Sequence, residues 1–224
     1  MLRKGDLTQG GIITTLLQFT LPMLAGSLLQ QCYNIADTLI VGQCIGANAL
    51  AAVGSAYTLM VFLISILLGL SMGSGTVFSL QYGAGDLSAL RRSIYVSLLL
   101  IGTVTILLNV AVFLWLDPIL RWLQVPYDIY SLMRNYLWII FWGIVFTFLY
   151  NFYAALLRAV GDSVTPLWFL AVSVVLNIGL DLFLILVLDQ GIEGAAVATV
   201  IAQGTAASGI LLYTYKIRPE LRLH

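Results

Sequence analysis

Six long apolar stretches follow one another along the chain, and short polar segments separate them. A helix needs about 20 mostly apolar residues to cross the hydrocarbon core of a bilayer, and each stretch reaches that length. The pattern therefore predicts an all-α membrane protein with six transmembrane helices. The predicted spans are residues 13–41, 49–82, 93–116, 136–157, 166–188 and 194–215.

The composition agrees with a membrane protein and excludes several other classes. Charged residues make up 9% of the chain and hydrophobic residues 61%, whereas soluble domains carry roughly 25% charged residues. The formal net charge of zero offers no basic surplus for nucleic acid. The one histidine is His224, so a histidine-based catalytic or metal site is excluded. We expect no enzyme activity, no cofactor and no fixed metal.

The distribution of the cations predicts the orientation. Cytoplasmic segments of membrane proteins carry an excess of Lys and Arg. If the N-terminus is cytoplasmic, only Arg121 and Arg134 fall outside. The inner segments then hold Arg3, Lys4, Arg91, Arg92, Arg158, Lys216, Arg218 and Arg222. We therefore expect a multi-pass protein of the cell membrane, surrounded by lipid, with both termini cytoplasmic.

Small and aromatic residues suggest how the helices pack and where they meet the interface. Gly69, Gly73 and Gly75 in the second run have the small-xxx-small spacing of close helix contacts, as do the alanines of the sixth run. Asp117 followed by Pro118 is typical of a helix start and predicts a short helix in the outer interface. An aromatic belt is expected there, formed by Trp115, Trp122, Tyr136, Trp138 and Trp142.

Two carboxylates lie within the predicted spans, Asp37 in the first and Asp181 in the fifth. Each ends a polar stripe at helical spacing, because side chains three or four residues apart share one helix face. Such stripes cannot face lipid and should converge on an internal cavity. The stripes comprise Ser27, Gln30, Asn34 and Asp37 with Tyr33 beside them; Ser173, Asn177 and Asp181; Thr199 and Gln203; and Thr147 and Asn151.

A carboxylate at this depth is costly and usually has a function. It can be stabilised by a proton, by a cation such as Na⁺, which prefers oxygen ligands, or by hydrogen bonds alone. The last case would make the stripes polar packing without a transport role, and the residues leave that alternative open. Pro22 interrupts the first span and removes a backbone donor, so we expect a kink and a hinge there.

Several segments resemble the multidrug and toxic compound extrusion (MATE) family. Residues 28–42, with Pro22 upstream, resemble its first helix. The resemblance continues, in the same order and over nearly the whole chain, at Arg158-Ala159-Val160-Gly161-Asp162, Thr165-Pro166, Asn177-xxx-Asp181, Gly194-Ala195-Ala196-Val197-Ala198-Thr199 and Gln203.

The resemblance implies a secondary active transporter that exports organic cations or related drugs in exchange for H⁺ or Na⁺. It implies that Asp37 is the coupling carboxylate and that Asn177, Asp181 and Thr199 belong to the same cluster. The polar stripes add candidate cavity-lining residues, namely Gln30, Tyr33, Asn34, Asn151 and Gln203.

The chain departs from the family pattern in its length. Family members have twelve spans in two lobes, and this chain has six, so we expect one lobe with the second lobe absent. A partial chain and a half-transporter that pairs with a second copy both fit. Two other functions remain open: a flippase for lipid-linked sugars, and a membrane scaffold or fragment without transport.

Overall fold

The structure is a computed structural model that describes residues 12–221. This part of the chain contains six long helices and no strand. Arg3, Lys4, Arg222 and His224 lie outside the described residues. The helices are α1 (Ile12–Cys44), α2 (Ala47–Gly83), α3 (Leu87–Trp122), α4 (Tyr127–Ala159), α5 (Val164–Leu182) and α6 (Gly191–Ile217); a π-helical segment (Phe183–Val187) extends α5, and a 3₁₀ turn (Pro219–Leu221) follows α6.

All six helices are long and apolar enough to cross a membrane, and each begins before its predicted apolar run. The difference is largest in α3 and α4, whose first turns contain polar residues that the hydropathy pattern assigned to loops. In α3 the reason is a helix cap. The side chain of Asp86 accepts a hydrogen bond from the backbone amide of Ala89 at 2.9 Å, which satisfies an otherwise unpaired donor of the first turn.

Helix α4 lies at the centre of the bundle, where it packs on α2, α3 and α6, while α1 packs mainly on α5. Two clusters of buried residues form the core. One lies at the end that holds the α1–α2, α3–α4 and α5–α6 turns, hereafter the turn end. The other lies at the opposite end, hereafter the termini end, and includes Phe78, Phe152 and Leu221. Most large apolar side chains of α1 are exposed.

The small residues do not all mark close helix contacts. On α6, Ala195, Ala198 and Ala202 are buried, and Gly75 of α2 approaches Ala155 of α4, as predicted. The prediction is wrong at Gly69 and Gly73, where a Cβ atom would meet no atom within 4 Å. These two glycines line an open groove between α2 and α3.

The predicted interfacial helix is the last part of α3. The backbone of Trp115 is non-helical (φ −113°, ψ 16°), and the chain then continues as helix to Trp122. The carboxylate of Asp117 accepts hydrogen bonds from the Tyr130 hydroxyl at 2.9 Å and from Arg134 Nε at 2.8 Å. The Asp117 side chain therefore links this segment to α4. The sequence had predicted only that Asp117 would cap the helix.

Candidate functional site

The two carboxylates meet between α1 and α5. Asp181 is fully buried and Asp37 is 8% exposed, and their carboxyl groups are close enough to hydrogen-bond to each other. Oδ1 of each residue has no protein partner among the described residues. Two ionised carboxylates cannot hydrogen-bond to each other, so this arrangement needs a proton or a cation between them.

Asn177 and Thr199 complete the cluster from α5 and α6. The Asn177 amide fits best with Nδ2 donating to Asp181 Oδ2 at 3.0 Å and Oδ1 accepting from the Thr199 backbone amide at 3.2 Å. In the opposite orientation Nδ2 donates to Thr199 Oγ1 at 3.3 Å. The Tyr33 hydroxyl lies 3.2 Å from Thr199 Oγ1. Three helices thus bring polar groups to one buried point.

Helical spacing and small residues explain why these side chains can meet. Asn177 and Asp181 lie one turn apart on the same face of α5, and Ser173, one turn earlier, donates to the Ala202 carbonyl at 2.9 Å. Small residues on α6 allow α5 to approach closely. The cluster offers carboxylate, amide and hydroxyl oxygens, the ligands that hard cations prefer.

A cavity of about 60 Å³ lies beside the cluster, which is room for about two water molecules. Predicted residues Gln30, Tyr33, Asn151 and Gln203 line it. Gln203 Oε1 accepts a hydrogen bond from the Thr147 hydroxyl at 2.6 Å, which joins the polar stripes of α4 and α6. Tyr33 contacts both the cavity and the carboxylate cluster.

Only part of the polar stripe on α1 faces the cavity and the carboxylate cluster. Asn34 is half-buried and does not line the cavity; its amide donates to Gln31 Oε1 at 3.4 Å. Ser27 is exposed and bonds back to the Met23 carbonyl at 3.2 Å. Gln30 is exposed on one side, although it lines the cavity. The expectation that the whole stripe faces inward is therefore wrong. Helix α1 runs without interruption through Pro22.

Tyr136 was assigned to the aromatic belt, and that assignment is wrong. It is only 3% exposed and lies close enough to Asp37 and Asp181 to interact with them electrostatically. Trp115, Trp122 and Trp142 are mostly exposed, as belt residues should be. Helical spacing could have predicted the burial of Tyr136, because it shares a buried face of α4 with Met133 and Ile140.

Comparison with known proteins identifies the family. The model of the MatE family matches residues 22–183, which include Asp37, Asn177 and Asp181. The chain belongs to the MatE family. This confirms the resemblance seen in the sequence, and the curated relatives are named multidrug resistance and export proteins, not enzymes.

Two curated relatives and one solved structure are similar over most of the chain. The probable multidrug resistance protein YpnP of Bacillus subtilis is 37% identical over 211 residues, which are 94% of this chain and 47% of YpnP. The multidrug export protein MepA of Staphylococcus aureus is 31% identical over 92% of this chain and 46% of MepA. An outward-facing multidrug resistance MATE transporter aligns with a TM-score of 0.90 at 24% identity, over 97% of this chain and 48% of that structure.

These similarities confirm the fold, a bundle of six membrane-spanning helices that resembles half of a MATE transporter. The chain spans about half the length of the relatives that it matches. Within the described residues, no group of three or more His, Cys, Asp or Glu side chains could hold a metal ion. The oxygen atoms around Asp37 and Asp181 are chemically suited to a proton or to Na⁺.

Proposed function

We propose that this chain is one lobe of a secondary active transporter that exports small organic cations in exchange for H⁺ or Na⁺. The observation that carries the proposal is the buried pair Asp37 and Asp181, whose Oδ1 atoms have no protein partner in the described part of the chain. Buried carboxylates in membrane helices are costly, and they mark ion and proton pathways. The names of the MatE relatives, multidrug resistance and export proteins, support drug efflux.

The coupling ion acts on Asp37, with Asn177, Asp181 and Thr199 around it. A proton or Na⁺ removes the repulsion between the two carboxylates, and its release restores that repulsion. The ion shifts the balance between two conformations only if it binds one of them more tightly. Tyr33 offers a physical link, because its hydroxyl reaches Thr199 while its ring lines the cavity. Pro22 on α1 is the proposed hinge.

The substrate is proposed to bind next to this cluster. Neutral polar groups and aromatic rings line the cavity, including Gln30, Tyr33, Asn151 and Gln203, and no Lys or Arg is among its lining residues. This environment favours a cation over the anionic headgroup that a lipid-linked sugar flippase must bind. At about 60 Å³ the cavity is smaller than a drug-sized site of at least about 300 Å³. A second lobe or a second copy is proposed to supply the opposite wall.

The test is coupled efflux by the complete transporter in proteoliposomes, driven in turn by a pH gradient and by a Na⁺ gradient. We expect Asp37→Asn to abolish gradient-driven efflux of a cationic dye while leaving expression unchanged. The matched control is Asp86→Asn, since Asp86 is an exposed carboxylate that caps α3 and its replacement should leave efflux intact.

Ion-driven efflux that is unchanged in Asp37→Asn would exclude Asp37 as the coupling group. Wild-type protein that moves an anionic lipid-linked sugar but no cationic dye would favour the flippase. Absence of both activities in folded wild-type protein would favour a non-transporting scaffold. The gradient that drives wild-type efflux identifies the coupling ion.

A further inference from the structure

A groove of about 600 Å³ lies between α2 and α3, away from the carboxylate cluster. Its walls combine small, apolar and polar side chains, and it opens to the surroundings because Gly69 and Gly73 leave its floor empty. The lining residues are Gly69, Leu70, Gly73, Ser74 and Val77 of α2 and Arg92, Ser93, Val96 and Ser97 of α3.

Two of the three serine hydroxyls in this groove lack the partners that serines in membrane helices normally have. Ser65, elsewhere on α2, bonds back to the Val61 carbonyl at 2.6 Å. Among the hydrogen bonds of the described residues, none uses the hydroxyl of Ser74 or Ser97. Ser93 accepts a hydrogen bond from Gln81 Nε2 at 2.8 Å, which leaves its own proton free to donate. An unpaired polar group is strongly unfavourable in hydrocarbon, so the groove favours a polar occupant.

The charge in the groove identifies that occupant as an anion. Arg92 is exposed, and no carboxylate of residues 12–221 lies within salt-bridge distance of it in the structure as described. A guanidinium beside hydroxyl donors is a favourable site for a phosphate group.

The shape of the groove fits a phospholipid. Arg92 lies about 8 Å along α3 from its first residue, Leu87, and Gly69 lies about 21 Å from the end of α2 at Gly83, at 1.5 Å per residue. The groove therefore extends from the headgroup level at the termini end into the hydrocarbon core. Its deeper part, at Leu70 and Gly73, is apolar and can accommodate an acyl chain.

We infer that the α2–α3 groove is a binding site for an anionic phospholipid, whose phosphate contacts Arg92, Ser93 and Ser97 and whose acyl chain lies along Gly73 and Gly69. Basic pockets between transmembrane helices recognise anionic headgroups in this way. The site shares no lining residue with the proposed substrate cavity.

The test is native mass spectrometry of the complete protein after exchange into mixed vesicles of phosphatidylglycerol and phosphatidylcholine. We expect wild-type protein to retain phosphatidylglycerol with a preference of about fivefold, the contribution expected from one interfacial cation. Arg92→Gln should reduce that preference to about one, and Arg92→Lys should preserve most of it. Arg121→Gln, an exposed arginine at the other end of α3, is the matched control and should behave as wild type.

A second variant tests the shape of the groove. Gly73→Leu fills the groove where a side chain has room and should remove the bound lipid, whereas Gly54→Leu, which adds the same side chain at another open position of α2, should not. Circular dichroism and size-exclusion chromatography establish that each variant is folded.

Equal retention of phosphatidylglycerol by wild type, Arg92→Gln and Gly73→Leu would overturn the inference. An equal loss in the two control variants would also overturn it, because the binding would then reflect surface charge or general packing. Absence of bound phosphatidylglycerol in wild-type protein would exclude the site.

Discussion

At the scale of single residues, the buried carboxylate pair of Asp37 and Asp181 is the feature that is hardest to stabilise between membrane helices. Asn177 donates a hydrogen bond to Asp181 Oδ2 in the amide orientation that fits best, and Oδ1 has no protein partner among the described residues. Carboxylates buried between membrane helices are costly, and they commonly mark ion or proton pathways. In the proposed mechanism, the pair lowers the stability of the protein in return for the ability to bind and release an ion.

Asp181→Asn should raise stability and impair ion coupling at the same time. The new amide can donate to the Asp37 carboxylate, so a like-charged pair becomes a hydrogen-bonded one, which is worth about 1–3 kcal/mol. At low pH a proton shared by the wild-type carboxyls already supplies such a bond. The stability gain should therefore increase as the pH rises, and thermal unfolding at several pH values measures it.

Transport by the same variant should also lose its wild-type dependence on pH or Na⁺. The matched control is Asp128→Asn, which removes an exposed carboxylate from the first turn of α4. A pH and Na⁺ profile that matches wild type would exclude Asp181 from the coupling cluster.

At the scale of helices, termini and irregular segments position the site. The π-helical segment begins two residues after Asp181, and such segments often occur next to functional residues. Its Leu184 packs against Gly194 of α6, where a Cβ atom would come within 3.2 Å. At the other end of the bundle, Asp86 starts α3 and so fixes where Arg92 and the α2–α3 groove begin.

Asp86→Ala should destabilise α3 at neutral pH and have less effect in acid. Hydrogen bonds from the Ala89 amide and the Ser88 hydroxyl hold the pKa of Asp86 below its usual value. A lowered folded-state pKa means that the stabilisation is present above the unfolded-state pKa of about 3.9 and is lost as the pH falls through the folded-state value.

Thermal unfolding of wild type, Asp86→Ala and Asp86→Asn between neutral and acidic pH tests this expectation. Asparagine can still cap the helix but carries no charge. The difference in thermal stability between Asp86→Asn and wild type therefore measures the effect of the charge alone. A difference between Asp86→Ala and wild type that stays constant across the pH range would contradict the role of the ionised cap.

At the scale of the whole molecule, the six helices place both ends of the described chain on one side of the bundle. The termini end carries Arg91, Arg92, Arg158, Lys216 and Arg218, and the turn end carries Arg121 and Arg134. The excess of cations at the termini end predicts that this end is cytoplasmic. The proposed lipid site then faces the leaflet in which anionic headgroups attract basic segments.

Single cysteines introduced into a variant without Cys32 and Cys44 test this orientation. Tyr127→Cys lies at the turn end, where the native side chain is 98% exposed, and Lys216→Cys lies near the end of α6. A membrane-impermeant maleimide added to intact cells should label the first and not the second, and both should react after the cells are opened. Labelling of Lys216→Cys in intact cells would reverse the orientation.

The sequence by itself determined the number of spans, the family and the polar stripes. These properties are local, because a span is recognised by its length of apolar residues and a stripe by its helical period. The same reasoning selected Asp37, Asn177, Asp181 and Thr199, whose proximity the structure then showed; their roles in coupling stay predictions.

Only the tertiary structure decided which polar residues meet. It brought Asp37 of α1 to Asp181 of α5, buried Tyr136 beside them, and left Asn34 outside the cavity. It also opened the groove at Gly69 and Gly73, where the sequence predicted a close contact. The physical reason is that the rotation of each helix, and which helices become its neighbours, depend on side-chain packing between distant segments. Hydropathy carries little information about that packing when every helix is apolar on most of its surface.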